Sequence, residues 1–206
     1  QRQMCIRDRK YLRTLEHLGS GSLISDVSQY TLNNLQKSYA QLDQGTVEQI
    51  VDILLRSDRK YIAGFRGTAC CAQYMASKLL FLTPHVVPIL HADATAVENL
   101  LDITERDCLF LYSFPRYSEI ARPLMEIARE SGAKVILMTD RRTSPLANKA
   151  DVVVTAQVDG LGFTNSYVAP LSLSEVILLS VSGRKDVTDS KRFNRIDSVM
   201  EREKLY

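Results

Sequence analysis

Several features that define other classes of protein are missing from this sequence. No apolar run approaches the ~20 residues that a membrane-spanning helix needs, and no signal-peptide pattern opens the chain. The four cysteines show neither the spacing of a disulfide framework nor that of a metal site; they are Cys5, Cys70, Cys71 and Cys108. We therefore expect a cytoplasmic protein with reduced, buried thiols, and we predict no metal ion and no cofactor.

A large excess of charge of one sign is also absent. The net charge is +2 at pH 7, which is too balanced for the electrostatic footprint of a nucleic-acid surface. No internal repeat or low-complexity segment is visible. On charge grounds, this chain by itself is not expected to bind DNA. Its 206 residues, 45% of them hydrophobic, are enough for one substantial core.

The first nine residues, QRQMCIRDR, have no hydrophobic period and resemble a translated sequencing-adapter scar. We exclude residues 1–9 from the fold. On this interpretation, we expect the natural gene to be longer at its 5′ end, with further sequence before residue 10.

From there on, short apolar runs alternate with segments of helical periodicity. The runs that predict strands are 60–64, 85–90, 107–113, 133–139 and 151–156. The segments that predict helices are 23–42, 46–55 (after a break at Gly45), 68–82, 93–101, 119–131 and 167–182. This alternation predicts a doubly wound α/β domain over 45–183 with a five-stranded parallel sheet. Residues 10–44 are then a linker and dimerisation helix, and 184–206 form a charged helical tail.

In such sheets, ligands bind beyond the carboxyl ends of the strands. The loop GFRGTA (64–69) follows the first predicted strand, where Gly64 and Gly67 permit a tight turn and Thr68 can cap the next helix and offer a hydroxyl. The pattern is neither the dinucleotide fingerprint nor a Walker loop. A structural turn followed by a capped helix explains it equally well.

The loop SFPRYSE (113–119) follows the third predicted strand and holds more polar chemistry. Ser113 and Ser118 supply hydroxyls, Arg116 a permanent cation with a planar donor fork, and Tyr117 an amphipathic ring. Together these suit a phosphate or carboxylate on a polyhydroxylated ligand. Because a helix tolerates proline only in its first turn, Pro123 predicts a helix that starts no earlier than about residue 119 or 120, with Ser118 as its N-cap. The alternative roles are that cap alone and a solvated arginine.

Four segments in this order carry a family resemblance. KYIAGFRGTACCAQYMASKLLFL, DCLFLYSFPRYSE, AKVILMTDRRTSPLANKADVVV and FTNSYVAPLSLSEVILL are together similar to the sugar isomerase (SIS) domain of RpiR-type (MurR/RpiR family) bacterial transcriptional regulators. The similarity covers about residues 45–183, and NNLQKSYAQLD resembles the linker between the two domains of the family. The resemblance implies a flavodoxin-like sheet topology. It also implies a phosphosugar-sensing domain that normally follows a helix-turn-helix DNA-binding domain, which this chain lacks.

The resemblance also implies site residues. In the family the first loop usually reads G-x-G-x-S and the second S-x-S-G-x-T, and both hold the phosphate of the ligand. Here Gly64 and Thr68 keep the first pattern, with Arg66 at a usual glycine. In the second loop Ser113 and Ser118 keep hydroxyls, while Pro115 and Arg116 replace serine and glycine. The ligand-binding set is therefore Gly64, Arg66, Thr68, Ser113, Arg116, Tyr117 and Ser118. The two arginines can compensate with charge-assisted hydrogen bonds for the lost serine hydroxyl and the lost glycine of the second loop.

The function that follows is that of an effector domain, which binds a phosphorylated sugar or sugar acid and reports it to operator DNA through the absent domain. A homodimer or tetramer is implied, with no membrane partner and no catalytic residue. One alternative is a sugar-phosphate isomerase, for which Glu119 and His91 are the candidate bases near strand ends. Neither has a context that singles it out. The other alternative is a dimerisation scaffold without a ligand.

Overall fold

The structure, a computed structural model, describes residues 22–162, 164–188 and 191–204. The predicted adapter scar at 1–9 and the first part of the predicted linker, 10–21, lie outside the described residues. Among the described residues, no helix has the length and apolar character that crossing a membrane requires.

Five strands form one parallel sheet. They are β1 (Lys60–Gly64), β2 (Val86–Ile89), β3 (Cys108–Tyr112), β4 (Lys134–Thr139) and β5 (Val152–Thr155). Their order across the sheet is β2-β1-β3-β4-β5, with every neighbouring pair parallel. The predicted five-stranded, doubly wound sheet with flavodoxin-like topology is therefore confirmed. Strand order reverses between β1 and β3, which is where ligands bind in sheets of this kind.

Eight helices among the described residues precede, flank or follow the sheet. They are α1 (Leu23–Tyr39), α2 (Gln44–Arg56), α3 (Ala69–Leu82), α4 (Ala94–Glu98), α5 (Ala121–Glu130), α6 (Val168–Ser182), α7 (Lys185–Thr188) and α8 (Lys191–Glu203). Short 3₁₀ turns at Arg66–Thr68 and Ala147–Lys149 precede α3 and β5.

The two faces of the sheet bury two separate apolar cores. Along β3, Phe110 and Tyr112 join the core beneath α2, α3 and α6, whereas Leu109 and Leu111 join the core beneath α4 and α5. Alternate side chains of a strand point to opposite faces, so a central strand buried on both sides must be apolar throughout. This is why the sequence of β3 reads as a continuous apolar run.

Two local predictions about helix starts are wrong. Gly45 does not break the chain but lies in the first turn of α2, where the carboxylate of Asp43 caps the helix by accepting from the backbone N–H of Thr46 at 2.8 Å. Ser118 is not the cap of α5, because that helix begins at Ala121 after Ile120, which makes no side-chain cap. Pro123 then falls in the first turn, the one part of a helix that tolerates it.

Of the three described cysteines, two are buried and one is exposed. Cys71 and Cys108 are buried, and burial raises the pKa of Cys108 to about 11. Cys70 is exposed, which corrects the expectation of buried thiols, since it lies on the outer side of the first turn of α3. Cys5 lies outside the described residues.

The described part of the charged tail lies mostly in the helices α7 and α8. Arg192 of α8 donates from its guanidinium to the backbone carbonyl of Leu80 at 2.7 Å, which fixes the tail against the end of α3. Met200, further along α8, is half-buried.

Candidate functional site

The two loops singled out in the sequence meet at the carboxyl edge of the sheet. Gly64, the last residue of β1, pairs with Tyr112, the last residue of β3. The chain therefore leaves both strands at the same level, and loops 64–69 and 113–120 run side by side. Between them lies a cleft of about 240 Å³. Its lining residues are Phe65, Arg66, Gly67, Thr68, Tyr112, Ser113, Phe114, Pro115, Arg116, Ser118, Thr164 and Tyr167.

Five of the seven predicted ligand-binding residues line this cleft. They are Arg66, Thr68, Ser113, Arg116 and Ser118. The other two, Gly64 and Tyr117, are not among its lining residues. The structure thus gathers most of the predicted set in one place, while its role in binding stays a prediction.

Gly64 is required by packing rather than by contact with the cleft. A Cβ at this position would lie 2.6 Å from the backbone oxygen of Thr68 and 2.9 Å from the Cβ of Ala72. The missing side chain lets the start of α3 approach the end of β1 closely. Gly64 therefore determines the position of the first loop.

The hydroxyl of Thr68 is committed to the protein itself. It accepts from the backbone N–H of Phe65 at 2.8 Å, and it lies 2.9 Å from the carbonyl of Phe65 and 3.2 Å from that of Tyr112. Thr68 precedes α3 but makes no side-chain cap, contrary to one predicted role. Its hydroxyl instead ties the first loop to the end of β3.

Arg66 and Arg116 both adopt the left-handed backbone conformation, with φ of 57° and 69°. For a residue with a Cβ this conformation costs roughly 1–2 kcal/mol, which glycine avoids. Both arginines stand at positions where the resembling family usually has glycine. The loops therefore keep a glycine-like backbone and add two exposed cations to the cleft.

Ser113 presents an unsatisfied polar group at the bottom of the cleft. Its backbone N–H donates to the carbonyl of Met138 at 3.0 Å, which continues the ladder between β3 and β4. Its side chain differs: Ser113 is 4% exposed, and its Oγ has no hydrogen-bond partner among the described residues. Ser118, at the other end of the loop, is half-buried.

Tyr117 is held outside the cleft. Its hydroxyl donates to Oδ1 of Asp140 at 2.7 Å, next to the end of β4. Burial, together with this hydrogen bond and the negative charge of Asp140, raises the pKa of Tyr117 to about 12. The ring therefore anchors the second loop to the neighbouring strand.

A third segment, after β5, completes the wall and was missed as part of the site. Tyr167 packs so closely on the first loop that a Cβ at Gly67 would lie 2.8 Å from its hydroxyl oxygen. Its ring also contacts Phe114 edge-on, with centroids 6.0 Å apart. Nδ2 of Asn165 donates to the carbonyl of Pro115 at 3.3 Å. The available signal was the polar FTNSY stretch between the last strand and its helix.

Electrostatically the cleft is positive. The described residues of its lining include two arginines and no aspartate, glutamate or histidine. Burial raises the pKa of Tyr167, and the interaction with Asn165 and the nearby positive charge of Arg116 oppose that shift only in part. The arrangement suits an anion, which arginine and hydroxyl donors can bind together.

The candidate bases of the isomerase alternative do not line the cleft. Glu119, near the end of the second loop, is exposed and is not among the lining residues of the cleft. His91 lies in an adjoining cavity of about 560 Å³. We call this the second cavity; its lining residues are Arg66, Ala69, Cys70, Gln73, Leu90, His91 and Ala92. Arg66 is shared by the cleft and the second cavity.

Comparison with known proteins identifies the family of this domain. Residues 53–180 match the SIS domain. The chain therefore belongs to the SIS-domain family, as the resemblance in the sequence predicted. No curated protein matches the chain.

Solved structures share the fold at low sequence identity. The sugar isomerase domain of an RpiR transcription factor from Sphaerobacter thermophilus has a TM-score of 0.81 at 22% identity, covering 88% of this chain and 99% of that one. The Vibrio vulnificus NanR protein complexed with ManNAc-6P has a TM-score of 0.73 at 17% identity, covering 94% and 74%. A Methanococcus jannaschii protein, whose structure infers the function of a 3-hexulose-6-phosphate isomerase, has a TM-score of 0.64 at 13% identity, covering 82% and 94%.

Proposed function

We propose that this SIS domain is the phosphosugar-sensing effector domain of a cytoplasmic transcriptional regulator of carbohydrate metabolism genes. The phosphate of the ligand occupies the cleft between the loops after β1 and β3. Ligand binding shifts the population of domain arrangements in a homodimer or tetramer. A separate helix-turn-helix domain carries the signal to operator DNA.

The observation that carries the proposal is the unpartnered hydroxyl of Ser113. Buried polar groups are almost always hydrogen-bonded, and an exception calls for an explanation. Three buried side-chain atoms lack a partner among the described residues, on Ser113, Ser144 and Arg192, and of these residues only Ser113 lines the cleft at the topological switch point of the sheet. A phosphate oxygen in the cleft would supply the missing partner.

The charge of the cleft supports the same ligand class. A phosphate monoester is dianionic or nearly so at neutral pH, and arginine binds it with two parallel hydrogen bonds. Neither Arg66 nor Arg116 forms an ion pair among the described residues. Both guanidinium groups are therefore available to a ligand.

Exposed apolar side chains support assembly into an oligomer. Ile24 of α1 is 88% exposed and Leu179 of α6 is 66% exposed. These two helices pack against each other, and Val27 and Val168 on them are also exposed. A partner subunit that covered the exposed apolar side chains of these helices would remove apolar surface from water. It could also transmit a change at the cleft, because α6 begins directly after Tyr167.

The alternative is a sugar-phosphate isomerase, favoured by the shared fold of the Methanococcus jannaschii protein. Aldose–ketose isomerisation needs a base that moves a proton between adjacent carbons. The lining of the cleft offers none among the described residues, which favours binding without turnover. An isomerase would have to take its base from outside this cleft.

A thermal-shift screen of sugar phosphates against the purified domain tests the proposal. A ligand that binds only the folded state raises the melting temperature as its concentration increases. We expect a dose-dependent shift with at least one sugar phosphate and none with the matching free sugar. No shift across the panel would instead support the dimerisation scaffold. Conversion of the bound sugar phosphate, followed by NMR, would support the isomerase.

A further inference from the structure

The two strained arginines of the cleft carry information about its ligand. Of the residues described, only four that are not glycine have a positive φ, and Arg66 and Arg116 are two of them. Strain of this kind tends to persist at functional sites, where the surrounding structure holds it in place. Glycine would adopt the same backbone conformation without strain. What arginine adds at both positions is therefore its side chain.

The two cations are not equivalent. Arg116 lines the cleft on the side of Ser113 and Ser118, at the end of β3. Arg66, at the end of β1, lines the cleft and also the second cavity, together with Gln73 and His91. Arg66 therefore stands at the boundary between two adjoining spaces, while Arg116 faces only one of them.

A single phosphate in the cleft would leave the second cavity, which Arg66 also lines, without a role in binding. With Ser113, Ser118 and Arg116, one side of the cleft already holds two hydroxyls and a bidentate cation. Arg66 adds a second positive charge, and the described residues that line the second cavity with it include no carboxylate. Because no carboxylate of the described lining neutralises Arg66 there, this boundary favours a second anionic group on the ligand.

We propose that the ligand is a sugar phosphate with a second anionic group, either a carboxylate or a second phosphate, which Arg66 binds at the boundary of the second cavity. This inference rests on the proposed function and specifies its ligand class. The phosphate lies at Ser113, Ser118 and Arg116. The sugar chain extends past Arg66, and Gln73 and His91 supply further donors in the second cavity.

Matched ligand pairs test the proposal by calorimetry. 6-Phosphogluconate and glucitol 6-phosphate differ by a carboxylate against a hydroxymethyl group, and fructose 1,6-bisphosphate and fructose 6-phosphate differ by one phosphate. We expect the doubly anionic member of at least one pair to bind about tenfold more tightly or better, as a charge-assisted pair should give. The pair that shows the preference identifies the second group as carboxylate or phosphate.

The Arg66→Gly variant tests whether Arg66 is the residue responsible for the preference for the doubly anionic ligand. It removes the charge and also the backbone strain, so the variant should be at least as stable as the parent protein. We expect the preference within the matched pair to fall about tenfold, close to parity. The control is His85→Gly, which relieves the same strain at the opposite end of the sheet (φ 56°) and should leave the preference intact.

The outcomes separate this inference from the proposed function. If singly and doubly anionic members bind equally well, the second anionic group is excluded. If Arg66→Gly keeps the preference, binding of that group by Arg66 is excluded. In both cases phosphosugar sensing stands. If no sugar phosphate binds at all, both are overturned.

Discussion

The hydroxyls of Tyr112 and Ser174 lie 2.7 Å apart, both buried, and connect the end of β3 to α6 directly beneath the cleft. Ser174 has one hydroxyl proton, which it donates to the carbonyl of Pro170 at 2.8 Å. The hydroxyl of Tyr112 is therefore the donor to Ser174. Burial raises the pKa of Tyr112, so this donor stays protonated across the physiological range.

This direction of donation predicts that removing the hydroxyl of Tyr112 and removing that of Ser174 lower the free energy of unfolding by different amounts. Tyr112→Phe removes the donor and leaves Ser174 bonded to Pro170, so we expect a loss of about 0.5–1.5 kcal/mol in the free energy of unfolding. Ser174→Ala strands the tyrosine hydroxyl in the core and should cost more, about 1–3 kcal/mol. Urea denaturation of both variants measures the difference. Equal costs would contradict this direction of donation.

The unpartnered hydroxyl of Ser113 predicts a variant that separates stability from binding. Ser113→Ala removes a buried group that has no partner in the free protein, so the free energy of unfolding should stay the same or rise by up to ~1 kcal/mol. Affinity for the sugar phosphate found by screening should fall about tenfold or more, because a hydrogen bond to a charged group is lost.

Thr68→Val provides the contrast for Ser113→Ala. It has a similar shape but leaves the backbone N–H of Phe65 without its acceptor, so it should destabilise the free protein by about 1–3 kcal/mol. If Ser113→Ala proved as destabilising as Thr68→Val, Ser113 would have a structural partner and the argument for a bound phosphate would fail.

The fold was predictable because its signals are local. Runs such as KYIAG and CLFLY are apolar at every position, as a strand covered on both faces requires, and they match β1 and β3. The start of α5 was misplaced because Ser118 has the composition of an N-cap. Residue type does not reveal that the chain makes another turn before Ala121.

The site was predictable only in outline. That the loops after β1 and β3 meet follows from strand order, and five of the predicted residues do line one cleft. The partner of each hydroxyl depends on tertiary geometry, so the sequence could not show that Thr68 bonds inwards or that Tyr117 turns to Asp140. Tyr167 was missed because it lies about fifty residues after the second loop in the sequence. It joins the site through close packing on Gly67.

Close packing at Gly64 predicts a stability effect with an internal control. An alanine Cβ there would lie 2.6 Å from the backbone oxygen of Thr68, which cannot move without shifting the start of α3. Gly64→Ala should therefore cost about 1–3 kcal/mol, as overpacking does. At Gly162 a Cβ would meet nothing within 4 Å, so Gly162→Ala should change the free energy of unfolding by less than ~0.5 kcal/mol. Thermal denaturation compares the two, and similar values would contradict this packing.

The anchor between Tyr117 and Asp140 predicts a pH dependence. The pKa of Tyr117 is raised to about 12 in the folded protein, above the value of about 10 expected in the unfolded chain. A group whose folded pKa is raised stabilises the protein fully below its unfolded pKa, and that contribution is lost as the pH rises through the folded pKa. The loss should therefore fall between about pH 10 and 12.

Tyrosine-selective NMR titration measures this pKa directly. Tyr117→Phe should remove one resonance that titrates near the raised pKa, and Asp140→Asn should lower the pKa of Tyr117 because it removes the adjacent charge. A pKa unchanged in Asp140→Asn would show that burial alone sets the shift.

Arg116 yields the most direct test of the phosphate position. Arg116→Ala removes the guanidinium but keeps a Cβ, and hence the left-handed strain at φ 69°, whereas Arg116→Gly removes both. Each should weaken sugar phosphate binding by about tenfold or more, since a charge-assisted bond is lost. Only the glycine variant should gain stability, because only it relieves the backbone. Calorimetry and thermal denaturation of the two variants therefore separate charge from conformation, and unchanged affinity in both would remove Arg116 from the site.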